Sequence, residues 1–403
     1  MAYLIKNNDN HIYIITYSQP SGLFYKVYSK KSLLKTSTLH SSSLDEYSAT
    51  IDQKGLINIV CKNKRNEIVH LNESTSKFNQ KVILNDPNNN FHISNLKLIS
   101  ANKQLHLFYT AQNPDDNSSN IIHHILDEST NSTPQSIVST TTSNTTYECF
   151  VYNHLIYMLS IDKTEEGYEL ILNSYNCTEN EWICENVLAK TKSPITYCTM
   201  CIDKDGNNHI LYIENNYAQL DLKYIKYNKK IESISVLYTS AYEIEPVIFI
   251  YNDSIWLNWK ASDKLLMMLS VNNGESFTKP SYCSAINPKS SLIHYYSQYK
   301  NRENLLGNIF YGTDTPFPNI FILNKLDMDN IHINTPANSE LKLYIDSLKM
   351  NKELITLKKE NDELKNIQKD IIEQYERLSS MVVKVQDEGK KWRSLYNDLK
   401  AGS

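Results

Sequence analysis

The chain has 403 residues, 41% of them apolar and 21% charged, with a formal net charge of −4. That length holds one large β domain with an appendage, or two to three ordinary domains. The near-neutral balance supplies no basic face for nucleic acid, and 9 Gly with 11 Pro exclude collagen-like and low-complexity classes.

The opening stretch MAYLIKNNDNHIYIITY lacks a basic region, a sustained apolar run and a small-residue cleavage site, so no signal peptide is expected. No later run approaches the roughly 18 apolar residues of a membrane span. Seven scattered Cys argue against a disulfide framework and for a reducing compartment, with the cytoplasm as the expected location. Lys outnumbers Arg by 37 to 4, and the richness in Asn, Ile and Tyr resembles the composition of proteins from AT-rich bacterial genomes. The 28 Tyr suit strands, where the ring packs on a pleated face and the hydroxyl reaches water.

Up to about residue 335 one unit recurs: a polar turn, a tight apolar strand, a loop and a second apolar strand. The turn-plus-strand element reads DNHIYIITY near His11, QKGLINIVC near Leu56, NKQLHLFYT near Leu105 and YNHLIYMLS near Leu155. It returns as GNNHILYIE near Ile210, NDSIWLNWK near Ile255 and LLGNIFYGT near Ile309. A period of about 46 residues with three or four short strands per unit is the pattern of a β-propeller. Asp52-Gln-Lys-Gly55 and Asp203-Lys-Asp-Gly206 have the chemistry of hairpin loops joining first and second strands. Blades close into a ring because a lone blade has two bare edges and an unburied face. The first blade is expected to open with AYLIK and the last to end with NIHINT.

Within the sixth unit stands SVNNGESF, residues 270–277. Ser270, Gly274 and Phe277 fall on the Asp-box pattern Ser/Thr-x-Asp-x-Gly-x-x-Trp/Phe, with Asn272 at the Asp position. The stretch resembles the box that recurs in sialidase-like propellers. That resemblance implies a structural turn between third and fourth strands: the amide ties the turn, Gly supplies positive φ and the aromatic tucks into the blade. It also implies three clustered Arg for a sialidase, because a guanidinium fork pairs bidentately with the sugar carboxylate. Only Arg65 and Arg302 precede the tail, so sialidase chemistry is not expected.

Other constellations are expected to be structural. His123 and His124 should point to opposite faces of a strand, as should Cys198 and Cys201. Trp182, Trp256 and Trp259 are candidates for a sugar platform, but Trp256 and Trp259, three apart on one strand, cannot both face it and should place at least one ring in the core. HExxH, GxSxG and GxxxxGK[ST] do not occur.

From residue 336 the pattern turns helical. Leu343, Met350, Leu357, Leu364, Ile371, Leu378, Val385, Trp392 and Leu399 recur every seven residues, the d column of a coiled coil. The a column mixes Leu354, Asn361, Tyr375 and Val382 with Ser347, Gln368, Gly389 and Tyr396; Asn361 and Gln368 would set register at a cost in stability. From residue 339 on, 25 of 65 residues are charged against 61 of 338 before. Asn338 or Ser339 can cap the start.

The sequence therefore predicts an all-β fold, a seven-bladed β-propeller (six blades as the alternative) over residues 1–335. A long C-terminal α-helix forming a coiled coil follows over residues 336–403. The expected function is a non-catalytic interaction scaffold, homodimeric through the helix, that binds a protein partner multivalently. The alternative is a carbohydrate-binding, lectin-like propeller; a glycoside hydrolase with dispersed carboxylates is the third reading. No catalytic residue, cofactor or metal ligand stands out, and the partner is another protein or a glycan on a propeller face.

Overall fold

The computed structural model describes residues 1–401 except 8, 10, 30–31, 75–76, 87, 89, 116–117, 127–133, 141–145, 262–263, 284–289, 298–303, 315–317 and 321–338. The last expected strand NIHINT, the boundary near residue 336, Arg302 and Asn338 lie outside the described residues, as do the side chains of Leu343 and Leu399. The chain forms two compact units, Met1–Asn338 and Ser339–Ser403.

The first unit is a propeller of four-stranded antiparallel meanders. The first blade holds β1–β4 (Ala2–Lys6, Ile12–Ser18, Gly22–Ser29, Ser32–His40) and the second β5–β8 (Ser43–Ile51, Ile57–Asn63, Glu67–Ser74, Lys77–Asn85). The third holds β9–β12 (His92–Ala101, Gln104–Gln112, Ser119–Leu126, Gln135–Thr140) and the fourth β13–β16 (Tyr147–Tyr152, Leu155–Thr164, Gly167–Asn176, Glu181–Thr191). The fifth holds β17–β20 (Ile195–Ile202, Asn208–Asn215, Leu220–Asn228, Lys230–Ser240) and the sixth β21–β24 (Val247–Tyr251, Ser254–Ala261, Lys264–Ser270, Ser281–Cys283). The remaining strands are β25 (Ser291–Ser297), β26 (Leu305–Leu306), which adds a fifth strand to the sixth blade beside β21, β27 (Ile309–Thr313) and β28 (Asn319–Ile320).

The ring has six blades, and the expectation of seven is corrected. The seventh sequence unit does form strands, and β27 near Ile309 pairs as the second strand of that unit. Its inner strand β25, however, lies parallel to β1, with Tyr3 opposite His294 and Leu4 opposite Tyr295. The unit therefore extends the first blade into one seven-stranded sheet, β28-β27-β25-β1-β2-β3-β4. Pairing satisfies the otherwise bare backbone edge of β1, which a count of repeats does not reveal.

Each blade grades from buried to exposed. The second strand β6 is buried throughout, whereas the outer strands β4 and β20 are mostly exposed. Apolar clusters fill the joints between neighbouring blades; one joins Ile15 and Val27 of the first blade to Ile59 and Val69 of the second. With Gly scarce, Asn supplies the turns. Asn102–Lys103 and Asn252–Asp253 both have positive φ at successive residues, the two-residue hairpin geometry that matches strand twist.

The second unit is one helix, α1 (Ser339–Ala401), 63 residues long, about 95 Å at 1.5 Å per residue. No helix among the described residues is long and apolar enough to cross a membrane.

Candidate functional site

The first strands of successive blades line the ring's centre. Their last residues gather at one face, where Ile51, Ser100, Val151 and Ser297 border a small cavity of about 180 Å³. Glu243 and Glu245, before β21, and Ser290, before β25, border a second opening.

Inside the channel, Lys97 of β9 and Glu148 of β13 form an ion pair of 2.6 Å, with side chains 20% and 17% accessible. Burial opposes the Lys97 charge, but the Glu148 carboxylate outweighs it and holds the ammonium above its usual range. Burial pushes the phenols of Tyr3, Tyr147, Tyr197 and Tyr296 up, so they stand protonated at neutral pH as donors rather than bases. Burial likewise holds His294 neutral, stacked 4.5 Å from the Tyr3 ring. Such a lining offers hydrogen-bonding phenols and one satisfied ion pair.

Tyrosine hydroxyls also tie the blades together. Tyr47 donates to the Met1 carbonyl, Tyr147 to that of Asn95, Tyr152 to that of Lys204 and Tyr311 to that of Glu245. Four inter-blade joints use the same device, which explains part of the tyrosine surplus.

The larger opening lies between the sixth blade and β25. It is a cavity of about 550 Å³ bordered by Glu243, Glu245, Lys260, Ser290, Ser291 and Tyr311, with Met1, Ile244 and Leu292 as its apolar part. Tyr311 is fixed there: its hydroxyl accepts from the Lys260 backbone at 3.3 Å and donates to the Glu245 carbonyl at 2.8 Å. Tyr242, 79% exposed, precedes Glu243 in the β20–β21 connection. Its backbone is pinned by Ser240 Oγ, which accepts from the Tyr242 N–H and donates to the Tyr242 carbonyl. Two carboxylates, an ammonium, hydroxyls and a neighbouring exposed ring can serve a polyhydroxylated ligand, through hydrogen bonds to its hydroxyls and contact with its C–H face.

The motif residues form a turn between β23 and β24. Ser270 Oγ accepts from the Gly274 N–H at 2.9 Å and donates to Asn272 Oδ1, which also accepts from the Ser276 N–H at 3.1 Å. Gly274 has φ +82°, and Phe277 packs edge-on to Tyr224 with ring centroids 4.9 Å apart. Beneath it runs a buried relay: Asp203 Oδ2 lies 3.2 Å from His209 Nε2, and His209 Nδ1 lies 2.7 Å from the Tyr224 hydroxyl. Burial opposes the Asp203 charge, but hydrogen bonds from His209 and Asn207 win and hold it low. Both His209 and Tyr224 are fully inaccessible, so the relay braces the turn rather than meeting a substrate.

His123 is buried while His124 is half-buried, in keeping with opposite faces. Cys198 packs between the fourth and fifth blades, Cys201 between the fifth and sixth. Trp256 and Trp259 are both core residues, which removes them as a sugar platform, and the half-buried Trp182 packs edge-on against the His123 ring at 5.7 Å. Among the described residues no group of three or more His, Cys, Asp or Glu could hold a metal ion. Sequence reasoning missed Lys97 and Glu148. Their signal was a single Lys or Glu within an inner strand, HISNLKLISA and YECFVY. It also missed the pocket, whose borders come from segments as far apart as Met1 and Tyr311.

No family model matches the chain, and no curated protein does. Among solved structures it is similar to an ulvan lyase, a polysaccharide lyase bound to -[GlcA(1-4)Rha3S]-: 10% identity, 78% of this chain and 89% of that one, TM-score 0.51. Another ulvan lyase structure gives 10% identity, the same coverage and a TM-score of 0.50. A fucose-binding lectin of Aleuria aurantia, a six-bladed β-propeller, is matched at 10% identity over 71% and 94%, with a TM-score of 0.43. At these identities the ulvan lyase likeness is one of fold alone.

Proposed function

We propose that the chain is a carbohydrate-binding propeller that takes a saccharide at the opening between the sixth blade and β25, and that binds rather than cleaves it. The observation that carries the reading is the 550 Å³ cavity bordered by Glu243, Glu245, Lys260, Ser290, Ser291 and Tyr311. Its borders suit sugar hydroxyls, and Lys260 suits a uronate or sulfate group. An acidic sulfated saccharide is also what the ulvan lyase of the same fold holds.

In this reading the C-terminal helix oligomerises the chain, so weak single-site affinity becomes avidity on a repeating polymer. A second reading keeps the protein scaffold: β20 exposes Ile231, Ile234 and Val236 on an outer edge, where a partner strand could pair.

A glycan array that includes uronate and sulfated polysaccharides, probed with the full-length protein, tests the proposal. Binding is expected, with a tenfold or greater loss in Glu245→Gln and Lys260→Ala, and no product on prolonged incubation. An array without hits, combined with capture of a protein through β20, would favour the scaffold. Appearance of shortened chains would overturn the non-catalytic reading.

A further inference from the structure

The α1 helix leaves its apolar column uncovered. Met350, Leu357, Leu364, Ile371, Leu378, Val385 and Trp392 are each 60–72% exposed, as are Leu354, Tyr375 and Val382 of the adjoining column at 50–73%. Two features lie outside these columns. Ile367 and Ile372 are exposed at 55% and 50%, as are Met381, Val383 and Leu395 at 61%, 52% and 53%, and the charges at the positions flanking the seam are sorted by sign. With the regular column as d and the adjoining one as a, the g positions include Glu353, Glu360 and Glu388, and the e positions Lys358, Lys365 and Arg393. All six are exposed.

We infer that the occupant of this face is a second copy of the chain, parallel and in register, in a two-stranded coiled coil. In that arrangement each g residue meets the e residue five positions further along the partner helix. Glu353 then faces Lys358, Glu360 faces Lys365, and Glu388 faces Arg393, each pair formed twice by symmetry. In the heptad between them the same rule brings Ile367 to Ile372, which covers the two isoleucines that the a and d columns leave out. Every meeting of two charges is attractive, and the isoleucines meet each other; from Glu353 on, the other three meetings set Gln374 against Ser379, Met381 against Gln386 and Leu395 against Lys400.

Reversing one helix destroys the match. An antiparallel pair sets g against g and e against e, so acids would meet acids and bases would meet bases wherever charges coincide. Asn361 and Gln368 make the same choice independently. As a residues they lie beside their own copies in a parallel pair, where the amides can hydrogen-bond. In the antiparallel pair, a packs against d, and each amide would sit on an apolar side chain. The polar seam also disfavours higher oligomers. The inference rests on the proposal that the helix oligomerises the chain and is independent of glycan binding.

Asn361→Cys in the full-length chain provides the test. Non-reducing electrophoresis after mild oxidation should show a cross-linked dimer, with wild type as control; its described free cysteines (Cys61, Cys149, Cys177, Cys198 and Cys201) are all buried. Glu353→Lys/Glu360→Lys should weaken self-association tenfold or more by turning attraction into repulsion, as should Lys358→Glu/Lys365→Glu. Mixing the two variants should restore it. A monomer at micromolar concentration by light scattering overturns the oligomerising role itself. A dimer that Asn361→Cys fails to cross-link, or that the charge variants leave unaffected, overturns only the parallel register. A trimer mass overturns the two-stranded form.

Discussion

His106 and His123 face each other across β10 and β11, with Nδ1 and Nε2 3.0 Å apart and both rings almost inaccessible. Phe108 stacks on His123 with centroids 4.5 Å apart, and Tyr175 meets it edge-on at 4.6 Å. Such a pair shares one proton; a further proton would set N–H against N–H. Burial accordingly lowers His106 to about 4, and burial with the His106 charge lowers His123 to about 3. In the unfolded chain both titrate near 6.5, so below that pH the unfolded state takes up protons that the folded state refuses. Stability is therefore full above about pH 6.5 and is lost as pH falls toward 4 and 3, by at most about 1.4 kcal/mol per pH unit for each ring. Urea midpoints measured from pH 7 down to pH 5 should fall, and His123→Phe should flatten the dependence. A profile unchanged by that substitution would show that the pair does not govern it.

At the scale of single elements, the turn after β23 ties the sixth blade to the fifth. Gly274 meets two demands at once: its φ is +82°, and a Cβ there would lie 1.8 Å from the Tyr224 hydroxyl. That hydroxyl is fixed on His209 inside the relay, so it cannot swing away without breaking a buried hydrogen bond. Gly274→Ala should cost about 2 kcal/mol or more, from backbone strain and lost packing together, read as a lowered melting temperature. Asn272→Asp, which keeps the acceptor that Ser276 uses, should leave stability within about 0.5 kcal/mol. If Gly274→Ala were neutral, the bracing role of the relay would fall. The motif's turn chemistry was legible because its hydrogen bonds are local. The relay was not, because Asp203, His209, Tyr224 and Gly274 come from two blades.

For the whole molecule, the ring closes through β25 against β1, so residues near 295 complete a sheet begun at residue 2. This closure makes the first unit self-sufficient, with core clusters at successive joints between blades. A chain ending at Asn338 should fold cooperatively and sediment as a monomer, while the full chain should sediment as a dimer. A dimeric truncated chain would place the association surface on the propeller instead of on α1.

The repeat, the strand pattern and the long helix were written in the sequence because they depend on spacing along the chain. Alternation marks strands, a sustained helical period marks the long helix, and Asp, Asn and Gly mark the turns between strands. The opposite facing of Cys198 and Cys201 followed in the same way, since side chains alternate along any strand. What spacing cannot express is which edges meet. Seven sequence units became six blades because β1 offered its bare edge to β25, a pairing between residues nearly 300 positions apart. The Lys97–Glu148 pair arises likewise from the packing of the third blade against the fourth, and the pocket bordered by Glu245, Lys260 and Tyr311 from the seating of the closing strands beside the sixth. Backbone edges and buried charges find partners through space, and only the closed ring decides which partners those are.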